Sequence, residues 1–230
     1  MTSMSHMLVF DFDGTLADSL SAAHAIYNQL AVERDFRPIS TAELPALRHH
    51  SLTSLLRTLG ISPHHVPSLL HQGRKLLRNR LAEISPCSGL PEQLPILREK
   101  TGCLGILTSN SVENVEIFLQ RHQLRHYFDF LSTCPRLKGK ARFLRSITRT
   151  YSLPPRQLIY IGDEVRDLQA AQKAGTCSAA VTWGFNSEEA LLAAHPDYLC
   201  RHPQDLLSLL RSSQLEEGTR FLPSSQSGVC

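Results

Sequence analysis

Asp11 and Asp13 stand two residues apart at the end of a short apolar run, in Asp11-Phe12-Asp13-Gly14-Thr15. On an extended backbone residues i and i+2 point the same way, so both carboxylates address one pocket. Two like charges at that range do not both ionise freely: a cation neutralises one of them, or one keeps a raised pKa. Either result is chemically useful. A metal-bound carboxylate is a nucleophile, and an acid held near neutral pH gives and takes protons. Gly14 permits a sharp turn out of the strand and Thr15 can hydrogen-bond that turn. The plain alternative is an Asp-rich turn with no chemistry.

Three later segments repeat the pattern of an apolar run that ends in polar residues. Residues 104–107 lead into Thr108-Ser109-Asn110-Ser111, ahead of a helical pattern. A hydroxyl beside free backbone N–H groups at a helix start makes an anion site. Ser and Asn are also ordinary helix caps, so this segment alone says little. Ser109 is the first choice for a phosphate ligand, with Thr108 next and Asn110 beside them. Lys138-Gly139-Lys140 opens another helical pattern, where cations oppose the helix dipole at a cost of about 0.3–1 kcal/mol each. An anionic partner would offset that cost; a solvated basic turn is the alternative. Lys140 is preferred because it directly leads the helix, and Lys138 stays open.

Residues 158–161 run into Gly162-Asp163-Glu164-Val165-Arg166-Asp167. Asp163 ends the run and Asp167 lies one helical turn on, so both can face the same pocket. Oxygen ligands without clustered His or Cys select a hard cation such as Mg²⁺. Asp163 and Asp167, together with a carboxylate of the first strand end, are thus candidates to hold such a cation. Glu164 is either a further ligand or an ordinary first-turn acid.

The elements that must position these residues follow from periodicity. Short apolar runs at 7–10, 104–107, 128–131, 158–161 and 179–181, with a weaker sixth at 198–199, read as strands, and the fully apolar ones of four or five residues suit burial on both faces. Helical patterns at 91–100, 112–122, 141–151, 164–174 and 187–194 separate them, and Gly175 sits where a helix C-terminal cap belongs. Alternation of this kind implies a parallel α/β sheet, whose ligands bind beyond the carboxyl ends of the strands. All four segments lie there. Residues 18–86 break the rhythm with helical periodicity alone, and read as a four-helix insertion with eight Lys/Arg against five Asp/Glu. Two basic clusters stand out in it, Arg48-His49-His50 and Arg74/Lys75/Arg78/Arg80. A solvated helix face is the favoured reading for them, and anion binding the alternative. Trp183 reads as packing. The expected units are a core of 1–17 and 87–212, an inserted domain of 18–86, and a polar, disordered tail over 213–230.

Taken together and in order, the four segments resemble the haloacid dehalogenase superfamily, close to its phosphoglycolate phosphatase-like hydrolases, over residues 7–210. The resemblance implies a Rossmann-like parallel sheet core with a small inserted α-helical cap. It also implies a Mg²⁺-dependent phosphatase acting on a small phosphorylated metabolite through an aspartyl-phosphate. Asp11 matches the family nucleophile and Asp13 its acid/base, and the main-chain carbonyl of Asp13 would join Asp11, Asp163 and Asp167 around the metal. Phe12, Gly14, Thr15, Thr108, Ser109, Asn110 and Lys140 match positions around the substrate, with Lys140 as the charge-neutralising lysine. The segment 181–186 resembles a loop of the same subgroup. The lysine segment lacks the K-P-x-P context of close phosphoglycolate phosphatases, and the cap sequence identifies no substrate. A phosphomutase would share these motifs, and a phospho-accepting receiver or a silent binding protein would share some of them.

Bulk properties agree with that expectation. A 230-residue chain with 42% hydrophobic and 20% charged residues buries one sizeable core with room for a second module. A formal charge of +3 is too weak to argue for nucleic acid and suits a small anion. No stretch reaches the ~20 apolar residues of a membrane span. The start of the chain is polar, without the regions of a signal peptide. Cys87, Cys103, Cys134, Cys177, Cys200 and Cys230 form no C-x-x-C pair, so neither a disulfide framework nor a zinc site is expected, and the cytoplasm is the default. Oligomeric state has no signature in the sequence.

Overall fold

In β1 (Met7–Phe10), Leu8 and Phe10 turn to one face of a sheet and Met7 and Val9 to the other, each almost fully buried. Burial on both faces is the reason the run is apolar without alternation. The computed structural model describes residues 6–134 and 139–210. Within them β1 is joined by β2 (Cys103–Thr108), β3 (Phe130–Thr133), β4 (Leu158–Gly162), β5 (Cys177–Val181) and β6 (Tyr198–Cys200), all parallel. The order is β3-β2-β1-β4-β5-β6. Strand order reverses beside β1, and the crevice at such a point is where α/β sheets place their ligands.

Four helices lie between β1 and the rest of the sheet: α1 (Leu20–Glu33), α2 (Leu44–Leu47), α3 (Leu52–Thr58) and α4 (Val66–Arg80). They are followed by α5 (Leu90–Lys100), α6 (Val112–Arg121), α7 (Lys140–Thr150), α8 (Val165–Ala174) and α9 (Glu188–Ala193). Leu90, Leu94 and Leu97 of α5 and Val115, Phe118 and Leu119 of α6 pack with the Leu8/Phe10 face, while Leu144 and Ile147 of α7 and Ala170, Ala171 and Ala174 of α8 pack with the Met7/Val9 face. Gly175 caps α8 with φ +79°, which a residue with a Cβ rarely adopts.

The helical insertion has a small core of its own at Ile39, Leu59 and Ile61, but Ile26 and Leu30 of α1 and Leu77 of α4 are continuous with the sheet core. The chain leaves and re-enters the sheet side by side. Asp18 N–H donates to Ser85 O and Cys87 N–H to Leu16 O, both at 2.9 Å.

Two strands differ from the sequence expectation. β3 lies two residues beyond 128–131, because Phe128 closes a 3₁₀ turn (Arg125–Tyr127) and drops into the core without joining the ladder. Ser132 and Thr133 are tolerated in β3 because it is an edge strand with one unpaired side. β5 begins at Cys177, and the hydroxyl of Ser178 is satisfied by Asp197 Oδ2 at 2.9 Å. Among the described residues no helix is long and apolar enough to cross a membrane. Cys87, Cys103, Cys134, Cys177 and Cys200 are buried free thiols. The tail over 213–230, Cys230 and Lys138 lie outside the described residues.

Candidate active site

Asp11 extends β1 by one position, its N–H donating to Ile161 O at 2.8 Å. The chain then turns sharply: the N–H groups of Leu16 and Ala17 both converge on Phe12 O, at 2.9 and 3.0 Å. Gly14 makes the turn at φ +76°, and a Cβ there would lie 2.2 Å from Asp163 Oδ2. Glycine is required on both counts, for the backbone angle and for the approach of the acid. Asp11 Oδ1 accepts the Phe12 N–H at 2.8 Å.

Phe12 and Thr15, expected at the substrate, are turned inward. The Phe12 ring meets Phe118 edge to face with centroids 5.0 Å apart. Thr15 is fully buried and its Oγ1 donates to Asp163 Oδ1 at 2.7 Å. Thr15 and Gly14 therefore serve the placement of Asp163.

At the end of β4, Asp163 also accepts the Phe185 N–H on Oδ2 at 2.7 Å, so both of its oxygens are oriented. Glu164 is the N-cap of α8 and exchanges a capping box with Asp167. Of the two readings left open for Glu164, the structure favours a local one: cap to α8 and ion-pair partner of Arg166 at 2.5 Å. Asp167 accepts Lys140 Nζ on Oδ1 at 2.7 Å and the Glu164 N–H on Oδ2 at 3.3 Å.

Lys140, the first residue of α7, is buried and shared between acids, with Nζ 2.7 Å from Asp11 Oδ2 as well as from Asp167. It also stands 5.3 Å from the centre of the Tyr160 ring. Burial alone would lower its pKa, but the neighbouring Asp11 and Asp167 more than reverse this, and the ammonium persists. Burial raises Asp11 to about 7 in spite of Lys140. It also drives Asp163 well above the usual carboxylate range, helped by repulsion from Glu164, Asp167 and Asp11. The cluster is short of positive charge.

That shortage is the physical test of the metal expectation, and the residues fit. One oxygen from each of Asp11, Asp163 and Asp167 lies within 4.8 Å of the others. Three carboxylate oxygens that close together suit one hard divalent cation, which takes oxygen ligands. A hard divalent cation would also lower the raised acids.

Asp13 is held separately. Its Oδ2 accepts Asn110 Nδ2 at 2.9 Å, and burial raises its pKa. Asn110 Oδ1 in turn accepts from Ser111 N–H and Asn114 Nδ2, at 2.8 and 3.0 Å. Thr108 is fully buried and its Oγ1 accepts the Asn110 N–H at 3.1 Å, so it shapes the loop. Ser109 is half-buried and makes no hydrogen bond among the described residues, which leaves its hydroxyl available. Of the expected set, Asp11, Asp13, Asn110, Lys140, Asp163 and Asp167 converge. Thr108 and Phe12 support from behind.

A cavity of about 1000 Å³ lies between the insertion and helices α7 and α8, lined by Leu56, Arg57 and Ile61 on one side and by Lys140, Arg166 and Lys173 on the other. Lys140 joins it to the acid cluster. Arg48 differs from its expected solvated role: its guanidinium donates to the carbonyls of Thr182, Gly184 and Phe185. Arg74 faces inward, close enough to feel Asp13 and Arg166, whereas Lys75 and Arg78 of the same helix are exposed. Trp183 packs against the core as expected, and its Nε1 donates to Thr15 O at 3.1 Å. Arg48, Phe185 and Asn186 were not singled out as site residues, since their contacts run to or from main-chain groups, which no residue type announces.

The haloacid dehalogenase-like hydrolase family model matches residues 8–181. A phosphoglycolate phosphatase of Synechococcus elongatus is 39% identical over 200 residues, covering 87% of this chain and 94% of that protein. An N-acetylmuramic acid 6-phosphate phosphatase of Pseudomonas aeruginosa is 25% identical over 213 residues, covering 88% and 93%. The crystal structure of a predicted phosphatase from Clostridium acetobutylicum superposes with a TM-score of 0.77 at 22% identity, covering 91% of this chain and 100% of that one. At that identity the likeness speaks for the fold.

Proposed function

The chain belongs to the haloacid dehalogenase-like hydrolases, and from that premise we propose that it is a Mg²⁺-dependent phosphatase of small phosphomonoesters, working through an aspartyl-phosphate on Asp11. The observation that carries this reading is the convergence of Asp11, Asp163 and Asp167, with Lys140 between Asp11 and Asp167, and with Asp13 two residues from Asp11 and tied to a different partner. The two acids of one strand end are thereby given different environments, as an attacking carboxylate and a proton carrier require.

In the first step an Asp11 oxygen attacks phosphorus, the ester P–O bond breaks, and Asp13 gives its proton to the departing alkoxide. In the second, Asp13 takes a proton from water as that water attacks the acyl phosphate, which releases phosphate and restores Asp11. Lys140 holds Asp11 in place and neutralises charge on the transferring oxygens, with the Ser109 hydroxyl and nearby N–H groups beside it. The carboxylates of Asp11 and Asp163 and the main-chain carbonyl of Asp13 would hold Mg²⁺, which when bound screens the repulsion between phosphate and nucleophile. Asp167, the third acid of the cluster, would stand with them, and it also fixes the lysine through Lys140 Nζ. The helical insertion is the cap that covers the site and selects the substrate. 2-Phosphoglycolate is the leading substrate, on the strength of the 39% identical relative named for it. The buried free thiols suit a reducing cytoplasm.

The test is phosphate release from a panel of phosphorylated metabolites, with Mg²⁺ and after chelation. Mg²⁺-dependent release led by 2-phosphoglycolate supports the reading. Full activity in exhaustively chelated protein refutes the metal assignment.

A further inference from the structure

Arg48 follows α2 and crosses to the loop after β5. Its Nη2 donates to Gly184 O at 2.8 Å and Thr182 O at 3.2 Å, and its Nε to Phe185 O at 3.3 Å. The contact is returned. Ser187 N–H donates to Arg48 O at 2.9 Å, and Asn186 Nδ2 donates to both Arg48 O and His50 O at 3.0 Å. The insertion thus grips residues 182–187 through backbone groups on both sides.

That loop encloses Asp163. Phe185 N–H donates to Asp163 Oδ2 at 2.7 Å, and Asn186 N–H to Asp163 O at 3.2 Å. A Cβ at Gly184 would stand 2.2 Å from Asp163 Oδ2, so the backbone there lies flush against the acid. The Gly184 carbonyl and the Phe185 N–H belong to one planar peptide. Arg48 grasps this rigid plate by its oxygen, and the plate presents its N–H to Asp163. Rotation of the plate breaks both bonds together. A cation on the carbonyl also polarises the peptide, which strengthens the N–H as a donor to the carboxylate.

We infer that Arg48 is a positioning residue for Asp163, acting through the Gly184–Phe185 peptide so that the acid is aligned when the insertion is docked. The inference rests on the proposed role of Asp163 as a ligand to a divalent cation. It gives the insertion a second task besides covering the site: the metal position is completed only when the two parts are in register.

The experiment measures Mn²⁺ binding by the loss of the free-ion EPR signal, and Mg²⁺ binding by the fluorescence of Trp183, which belongs to the loop itself. The full-length wild type is compared with Arg48→Ala, Arg48→Lys, Asp163→Asn and, as a charge-matched control, Arg78→Ala on the exposed side of α4. Removing a partner that orients a metal ligand weakens affinity 10–100-fold in metalloproteins generally. Arg48→Ala is expected to bind Mn²⁺ about tenfold more weakly, with kcat restored by excess metal and KM for substrate little changed. Arg48→Lys recovers part of the loss and Arg78→Ala matches wild type. Should Arg48→Ala fail to fold, Arg48→Lys carries the test, since one ammonium cannot span three carbonyls. Wild-type affinity in folded Arg48→Ala and Arg48→Lys overturns the inference alone. Wild-type affinity in Asp163→Asn, or no binding by wild type, overturns the cation reading beneath it.

Discussion

Lys140 Nζ lies 2.7 Å from Asp11 Oδ2, with only 4% and 3% of the two side chains exposed. A buried pair of this kind is costly to desolvate and more costly to break, because the surviving charge keeps no partner. Here the ammonium is shared with Asp167, so its loss strands two carboxylates.

Replacement of Lys140 by Met should therefore lower stability by about 3–5 kcal/mol in metal-free protein, the range seen when one member of a buried pair is removed. Added Mg²⁺ should recover part of that loss. Thermal melts of both proteins with and without Mg²⁺ check this, and equal destabilisation in the two conditions would sink it.

Asp11→Asn keeps the shape of the side chain and removes the attacking oxygen's charge. Turnover should fall by about 10³-fold or more, as for other knocked-out nucleophiles, while competitive inhibitors bind within a few-fold of wild type. Acid quench with labelled substrate should trap phosphate on wild-type protein and none on the variant. Near-normal activity in a preparation free of contaminating phosphatase would refute the nucleophile assignment.

Folding loads a proton onto Asp11, because its pKa in the metal-free fold is raised to about 7 from an ordinary 3.8. The stability contributed by this group is full below the unfolded value and is lost as pH rises through about 7. Asp163 shifts in the same direction. Metal-free protein should accordingly melt at lower temperature at about pH 8 than at about pH 6. Divalent cations must displace these protons, so their apparent affinity should rise over the same interval and proton release should accompany binding. Affinity that is flat across that interval would contradict the raised pKa values.

Two glycines separate site effects from packing effects. A Cβ at Gly105 in β2 would lie 2.1 Å from Phe130 Cζ, and one at Gly14 2.2 Å from Asp163 Oδ2. Gly105→Ala should cost about 1–3 kcal/mol by overpacking and leave kcat per folded molecule near wild type at low temperature. Gly14→Ala should lose metal affinity and kcat together, by about 10²-fold. Identical profiles for the two variants would show that Asp163 tolerates displacement.

The main acids were legible because they sit where local signals meet: a fully apolar run, a turn residue and a carboxylate within a few positions of one another. Lys140 was legible for a similar reason, as a cation at a helix start that needs an anionic neighbour. Ser109 was put first and Thr108 next on a weak signal, since a helix cap and a phosphate ligand call for the same residue types. Phe12 and Thr15 were assigned outward roles because a motif records identity and leaves orientation open. β3 was misplaced by two residues because its last two positions are polar, as only an edge strand allows. Arg48 was noticed only as part of a basic cluster and not for its contact with the loop: carbonyl recognition has no preferred partner type, and the register of residue 48 against residue 184 is set by the packing of distant elements.

The side-by-side passage of residues 16–18 and 85–87 has a consequence for how such an enzyme changes over time. Because both ends of the insertion leave the sheet at neighbouring points, its covalent attachment is narrow, while Ile26, Leu30, Leu77 and the Arg48 contact fasten it more widely. A change of length far from those contacts leaves the strand pairing of β1 untouched, whereas exchange of the whole insertion would also remove the grip of Arg48 on the loop beside Asp163.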